Sequence, residues 1–193
     1  IKAAFKRDFD VDLQFTGAPD GLTDNDGYFA QVLHDTAAVV ADYFFFEHTT
    51  ETSRSLAPTV SLEPTTSSFS PVVAPGMLLN TPAIADGARY RGFINTLADA
   101  DGTLRRMPLV IAHGGTLHPS LALATALRAR GLDRAVVGRD DDGPYVEVGA
   151  TRMPVDARGN TLLRFNGGSQ HYPALSAKDL LRGAVDPRAL SGK

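Results

Sequence analysis

Three acidic clusters, Asp24-Asn25-Asp26-Gly27, Asp99-Ala100-Asp101-Gly102 and Asp140-Asp141-Asp142-Gly143, contain the residue types that bind calcium. A helix-loop-helix calcium loop also needs an acid five residues before its glycine and a glutamate six after it. Those positions hold Leu22, Leu97 and Gly138 on one side and Leu33, Pro108 and Gly149 on the other. All three clusters therefore read as turns, where Asp, Asn and Gly each have a conformational reason to sit. Among the histidines, His113 and His118 are nearest in sequence, but Gly114-Gly115 lies between them and denies them the one-turn helical spacing of a zinc motif. The chain has no cysteine, which removes disulfides, thiolate catalysis and thiolate metal sites. Gly167-Gly168-Ser169 is a turn and not a nucleophile elbow, and neither a P-loop nor a dinucleotide fingerprint occurs. No metal and no cofactor is expected.

Two adjacent cations remain. On a strand, Arg105 and Arg106 point to opposite faces, so one meets the core side or a pocket while the other meets water. The structural reading, which is favoured, pairs one of them with Asp99 or Asp101 and locks the intervening turn. The functional reading gives an anionic ligand the planar fork of a guanidinium. Asn95 carries the same ambiguity, because a strand-end amide commonly satisfies nearby backbone groups. Asn95, Arg105 and Arg106 are the candidate ligand contacts.

The elements that position them are read as a mixed α/β fold, a central sheet with flanking helices plus β-hairpins, in one domain over residues 1–193. Tyr90 to Ala112 carries two apolar-rich runs around Asp99-Ala100-Asp101-Gly102, the pattern of a hairpin. A second turn at His113-Gly114-Gly115-Thr116 leads to a helix opened by Pro119 or Ser120, running through Arg130 and stopped at Gly131. Upstream, Phe9 to Phe15 alternates apolar and polar and reads as a strand. Thr23 or Asp24 caps a helix with Phe29, Val32 and Leu33 on one face, and Ala37 to Phe46 is a second, apolar strand, which makes a βαβ unit. From Thr49 to Ser70, 14 of 22 residues are Ser, Thr or Pro, a composition that buries too little apolar surface to offset its ordering entropy, so residues 49–70 read as a flexible loop. Val72 to Leu79 returns to the sheet and Pro82 to Asp86 forms a helical turn. Hairpins follow around Asp140 to Pro144 and around Asp156 to Asn160, and Ser176 with Asp179 suggests a capping box for a last helix ending at Gly183.

At 193 residues, with 43% hydrophobic and 21% charged residues, the composition is that of a folded globular domain. A net charge of -3 offers no basic field for a phosphate backbone, so no nucleic-acid partner is expected. The apolar run Ala37 to Phe46 is interrupted by Asp42 and is far shorter than a membrane span.

Four pieces in order, Gly92-Phe93-Ile94-Asn95, Asp99-x-Asp101-Gly102, Arg105-Arg106-Met107-Pro108 and Pro119-Ser120-Leu121-Ala122, resemble the core signature of the type-2 CHASE domain, a sensory extracellular module of bacterial membrane receptors. Asn166-Gly167 and Tyr172-x-x-x-Ser176-Ala177-x-Asp179-Leu180-Leu181-x-Gly183 resemble the family's closing strand, turn and helix, so the likeness covers roughly residues 90–193. Gly92, Phe93, Asp99, Asp101, Gly102 and Pro108 carry the motif as structural positions. The resemblance implies an extracytoplasmic, periplasmic or extracellular, ligand-sensing domain without catalytic activity of its own. Its partners would be an unknown small-molecule ligand, the receptor's own transmembrane helices, a cytoplasmic cyclase or kinase output domain, and a second copy in a homodimer. The likeness leaves the ligand class open. It also implies a further strand after Lys193, whose absence would leave a sheet edge free to associate. The rival readings are a soluble hydrolase-type enzyme using carboxylates or histidines, and a dimerisation module without a ligand.

Overall fold

The computed structural model describes residues 2–14, 16–17, 24–47, 56–59, 61–64, 70–168 and 174–190. Contacts gather the chain into two compact units, residues 1–162 and 163–193.

The first unit is mixed α/β, as read from the sequence. It opens with helix α1, Lys2–Phe9, where a strand through Phe9 was expected from alternation. Local contacts decide for the helix: the Phe5 and Phe9 rings, one turn apart, lie 5.4 Å centroid to centroid, and Lys6 pairs with Asp10 at 3.0 Å. Asp10, at φ 53, then turns the chain out of the helix while its N–H still reaches Lys6 O. Residues 11–14 form no strand, so the expected βαβ unit does not form. Helix α2, Asn25–Asp35, starts where the sequence placed it, with Asp24 Oδ1 accepting from Gly27 N at 2.9 Å. Its buried residues are Ala30 and Leu33, while Phe29 and Val32 are exposed.

Strand β1, Val39–Phe45, follows, then β2, Ser61–Pro64, β3, Val72–Val73, and β4, Gly76–Leu78. Strand β2 corrects the loop reading of residues 49–70 in part: Ser61 to Pro64 pair in parallel with Arg134 to Val137. Residues 48–55, 60 and 65–69 lie outside the described set. Helix α3, Pro82–Gly87, begins with Pro in its first turn and packs on α2 so closely that a Cβ on Gly87 would come within 2.8 Å of Ala30.

Strand β5, Tyr90–Phe93, and strand β6, Arg106–Pro108, do not pair with each other. The expected hairpin is thus corrected: β5 runs parallel to β1, with Val39 opposite Tyr90 and Asp42 opposite Phe93, and β6 pairs with β12, Asn160–Leu162. The turn between them does form, held by Gly102 N to Asp99 O at 2.8 Å and Asp99 N to Thr103 O at 3.0 Å, but the long-range partners take the strands. Strands β7, Val110–His113, and β8, Thr116–Pro119, make a true hairpin over the two glycines. Ser120 then caps helix α4, Leu121–Ala129, by accepting from Leu123 N at 3.2 Å, and Gly131 at φ 66 ends it.

Strands β9, Arg134–Asp140, and β10, Gly143–Val148, form the next hairpin, and β11, Thr151–Pro154, adds to β10. The turn Asp156 to Asn160 is present as read, yet β11 and β12 are in different sheets. Among the described residues the strands lie in four small sheets, ordered β4-β1-β5, β11-β10-β9-β2, β12-β6 and β3-β7-β8. Two apolar clusters fill them. Leu109, Leu123, Leu127, Val137 and Val146 centre one, and Phe44, Met77, Phe93 and Ile111 the other.

The second unit carries helix α5, Ala177–Leu181, and a 3-10 turn at Pro187–Leu190. Ser176 precedes α5 but makes no side-chain cap bond, so the capping box is not formed; Gly183, at φ 68, is the stop. Among the described residues no helix is long and apolar enough to cross a membrane.

Candidate functional site

The loop between β5 and β6 separates the two arginines chemically. Arg105 grips Asp101 with both ends of its fork, Nη1 to Oδ1 at 2.9 Å and Nη2 to Oδ2 at 2.9 Å, and reaches Asp99 Oδ2 at 3.3 Å. Asp101 also accepts from Thr103 N at 3.0 Å. The Arg105 fork first, and that backbone bond next, hold the Asp101 carboxyl well below the usual range, at about 2. The pairing expected of one arginine is therefore made within the turn, by Arg105.

Arg106 opens β6 opposite Leu162 and reaches no closer than 4.0 Å to Asp99 Oδ1, with its side chain 55% exposed. It stands on the rim of a cleft of about 610 Å³ lined also by Arg152, Met153, Asp156, Asn160 and Leu162. A smaller cavity of about 160 Å³, bounded by Asp99, Arg158 and Leu97, shares Arg106, Asp156 and Asn160 with it. Asp156 is the fixed centre of this face: Oδ1 accepts from Arg158 N and Asn160 N, both at 2.9 Å, and Oδ2 from Asn160 Nδ2 at 3.0 Å. Burial pushes the Asp156 carboxyl up, but the Asn160 and Arg158 bonds and the Arg106 charge outweigh it and hold it below its ordinary value. The other cation of the cleft, Arg152, is committed to Glu147 at 2.6 Å and Asp140 at 3.0 Å and lies 4.3 Å over the Tyr145 ring. Among the described residues that line the larger cleft, Arg106 is thus the guanidinium without an acid closer than 4.0 Å.

Asn95 is elsewhere. It is buried, and its amide bonds both backbone groups of Phe44, Oδ1 accepting from Phe44 N at 2.8 Å and Nδ2 donating to Phe44 O at 2.7 Å. The structure does not bring Asn95 into a cavity with Arg106. The remaining motif positions are structural in plain ways. A Cβ on Gly92 would come within 2.6 Å of Leu121 Cα, so glycine sets the approach of α4 to β5. Phe93 and Pro108 are buried, and Gly102 takes φ 79 in the turn.

Sequence reasoning missed a second polar group of residues. Asp42 on β1, Arg91 on β5 and His118 on β8 are each 5% exposed and line one small cavity. Burial drives the Asp42 carboxyl up to about 6, against the charge of Arg91. Burial, then the neighbouring His113 and Arg91 charges, drives the His118 imidazole down to about 4. His118 is therefore neutral at pH 7, and His113 donates from Nδ1 to Ala74 O at 2.9 Å. The signal available in the sequence was Asp42 itself, the one charge inside an apolar strand.

A family model described as the CHASE2 domain matches residues 9–193. The match extends well upstream of the stretch that carried the resemblance. No curated protein and no solved structure matches the chain.

Proposed function

We propose, from the premise that the chain belongs to the CHASE2 domain family, that it is the extracytoplasmic ligand-sensing domain of a bacterial transmembrane receptor. The family is sensory and occurs in receptors with cyclase or kinase outputs. On this reading the chain performs no turnover: a ligand favours one arrangement of the domain, and its differential affinity for two arrangements is the energy that moves the membrane helices and the output domain. The working unit is a homodimer, since a second copy gives the helices a partner against which to shift.

The observation that carries a ligand-reading site is the division of labour in the Arg105-Arg106 pair. Arg105 is spent on Asp101 and Asp99, while Arg106 faces two adjoining cavities with its nearest acid at 4.0 Å. An exposed guanidinium beside a rigid acid-amide turn is suited to an anionic group. Thermal-shift titration with a panel of small carboxylates and phosphates tests this, because a ligand that binds the folded state raises Tm by mass action. The expected result is a shift that Arg106→Lys abolishes and Arg105→Lys leaves in place. Equal responses of both variants overturn the assignment, and a chain stabilised by no member of the panel favours the ligand-free dimerisation module.

A further inference from the structure

Asp42 and Arg91 are buried charges that do not satisfy each other. Arg91 Nε stands 3.9 Å from Asp42 Oδ2, beyond hydrogen-bond reach, and Asp42 Oδ1, Arg91 Nε and Arg91 Nη1 have no hydrogen-bond partner among the described residues. Removing two charges from water is costly unless they meet at close range with every remaining lone pair and proton engaged. This pair carries the cost without that compensation. The two side chains, with His118, Phe44, Phe93 and Pro119, surround a cavity of about 10 Å³, room for about one water-sized group.

One wall is not a sheet strand. Pro58 belongs to a strap, residues 56–59, that is tied to Arg91 at three polar points: Ala57 O accepts from Nη2 at 2.6 Å, Thr59 Oγ1 accepts from Arg91 N at 2.8 Å, and Thr59 Oγ1 donates to Arg91 O at 3.4 Å. We propose that this cavity is the floor of a second binding site, for a free α-amino acid with a small side chain, and that the strap is its displaceable cover.

The chemistry of the guest follows from what the walls lack. A carboxylate supplies acceptors for the unengaged Arg91 N–H groups, and an ammonium supplies donors for Asp42 Oδ1. An anion alone would be set beside Asp42, and a cation alone beside Arg91; a zwitterion leaves the charge balance of the cluster unchanged. His118, neutral at pH 7, adds no competing charge. The closed cavity, about 10 Å³, holds only a water-sized group, so the guest fits after Pro58 has moved away with the strap. Phe44, Phe93 and Pro119 then offer its side chain an apolar wall, which favours a short one. Ala57 O occupies a position on Arg91 that a carboxylate oxygen would take with a stronger, charge-assisted bond. Entry therefore requires the strap to lift, and the apparent affinity is lowered by the fraction of molecules in which it is closed. None of the cavity's lining residues belongs to the Arg106 cleft, so the two sites stand or fall separately.

Calorimetric titration of the Arg106→Lys chain, in which the cleft no longer takes a carboxylate, with glycine and with L-alanine tests the proposal, with acetate, methylamine and N-acetylglycine as controls that each lack one of the two charges. Glycine and alanine bind and the three controls do not. Thr59→Ala loosens the strap without removing a group the guest contacts, so it tightens binding, by several-fold. Asp42→Asn and Arg91→Lys each abolish it. Glycine binding no better than acetate overturns the proposal, and so does a Thr59→Ala variant that keeps its fold but binds no more tightly; neither result touches the Arg106 assignment.

Discussion

Asn95 completes β1 from the side, its single amide accepting from Phe44 N at 2.8 Å and donating to Phe44 O at 2.7 Å across 51 residues of sequence. The side chain does for Phe44 what a neighbouring strand would do. Ile94 N bonds Asp42 O just before it at 3.0 Å, so the chain leaving β5 continues the ladder by one main-chain bond and one side-chain pair.

Asn95→Ala therefore leaves a buried N–H and a buried C=O unpaired, at a cost of about 3 kcal/mol. Urea unfolding should show a lowered midpoint with an unchanged slope. A loss no larger than that of an exposed loop substitution would remove Asn95 from this structural role.

Gly92→Ala should cost about 3 kcal/mol. The added methyl would meet Leu121 Cα at 2.6 Å and Leu121 N at 2.7 Å, which are backbone atoms with no rotamer to change, so β5 and α4 must separate. Gly102→Ala meets no neighbouring atom; its penalty comes from φ 79 alone and should be the smaller of the two. Paired thermal melts check the ranking.

Asp42 and His118 should oppose each other in acid. The Asp42 carboxyl is raised to about 6 in the fold, so between its unfolded value and 6 the folded state holds the extra proton, and stability from this group falls as pH rises through that window. The His118 imidazole is lowered to about 4, so between 4 and its unfolded value the unfolded state holds the extra proton, and stability falls as pH drops. Between pH 4 and 6 the two nearly cancel. Asp42→Asn unmasks His118, giving a chain that loses stability relative to wild type as pH falls from 6 to 4; His118→Leu unmasks Asp42 and gives the reverse slope. Urea midpoints at half-unit pH steps separate them, and parallel curves for the two variants would contradict the opposition.

The Arg105–Asp101 pair should be felt at lower pH. Asp101 is depressed to about 2, first by the Arg105 fork, so what it contributes is present above its unfolded value and is lost as pH falls toward 2. The pair is exposed and the effect correspondingly small and salt-sensitive. Carbon-detected NMR titration of the Asp101 carboxyl should follow this low value in wild type and rise toward the ordinary range in Arg105→Ala, where the Thr103 N–H bond remains.

Several local signals read from the sequence hold in the structure. Asp24 and Ser120 cap their helices, Gly131 ends α4, Gly114-Gly115 turns β7 into β8, and Asp140 to Gly143 turns β9 into β10. The strand-pairing failures share one cause, the choice of partner over long sequence separation, whereas at Phe9 the alternation yields to the ring pair and ion pair of α1, and at Ser176 the cap bond is not made. Tyr90 to Phe93 and Arg106 to Pro108 look like two arms of a hairpin because a good turn lies between them, yet β1 and β12 compete for those edges and win. Ser61 to Pro64 has little apolar content of its own and becomes a strand because β9 offers it an edge. Asn95 and Arg106 could be nominated from residue type, but only folding shows one to be a backbone splint and the other to face a cleft. Asp42 and Arg91, far apart in sequence, become neighbours through the parallel register of β1 on β5.

The segment rich in serine, threonine and proline has a further consequence. Between β1 and β4, which lie side by side, the chain contributes β2 to the β9 sheet and β3 to the β7 sheet. Surface stretches of such composition are usually where related sequences gain and lose residues at little expense. Here Ser61 to Pro64 within it are paired into the β9 sheet, and Val72–Val73 just beyond it into the β7 sheet, so a deletion that removed either pairing would cost a sheet other than the one to which the chain returns.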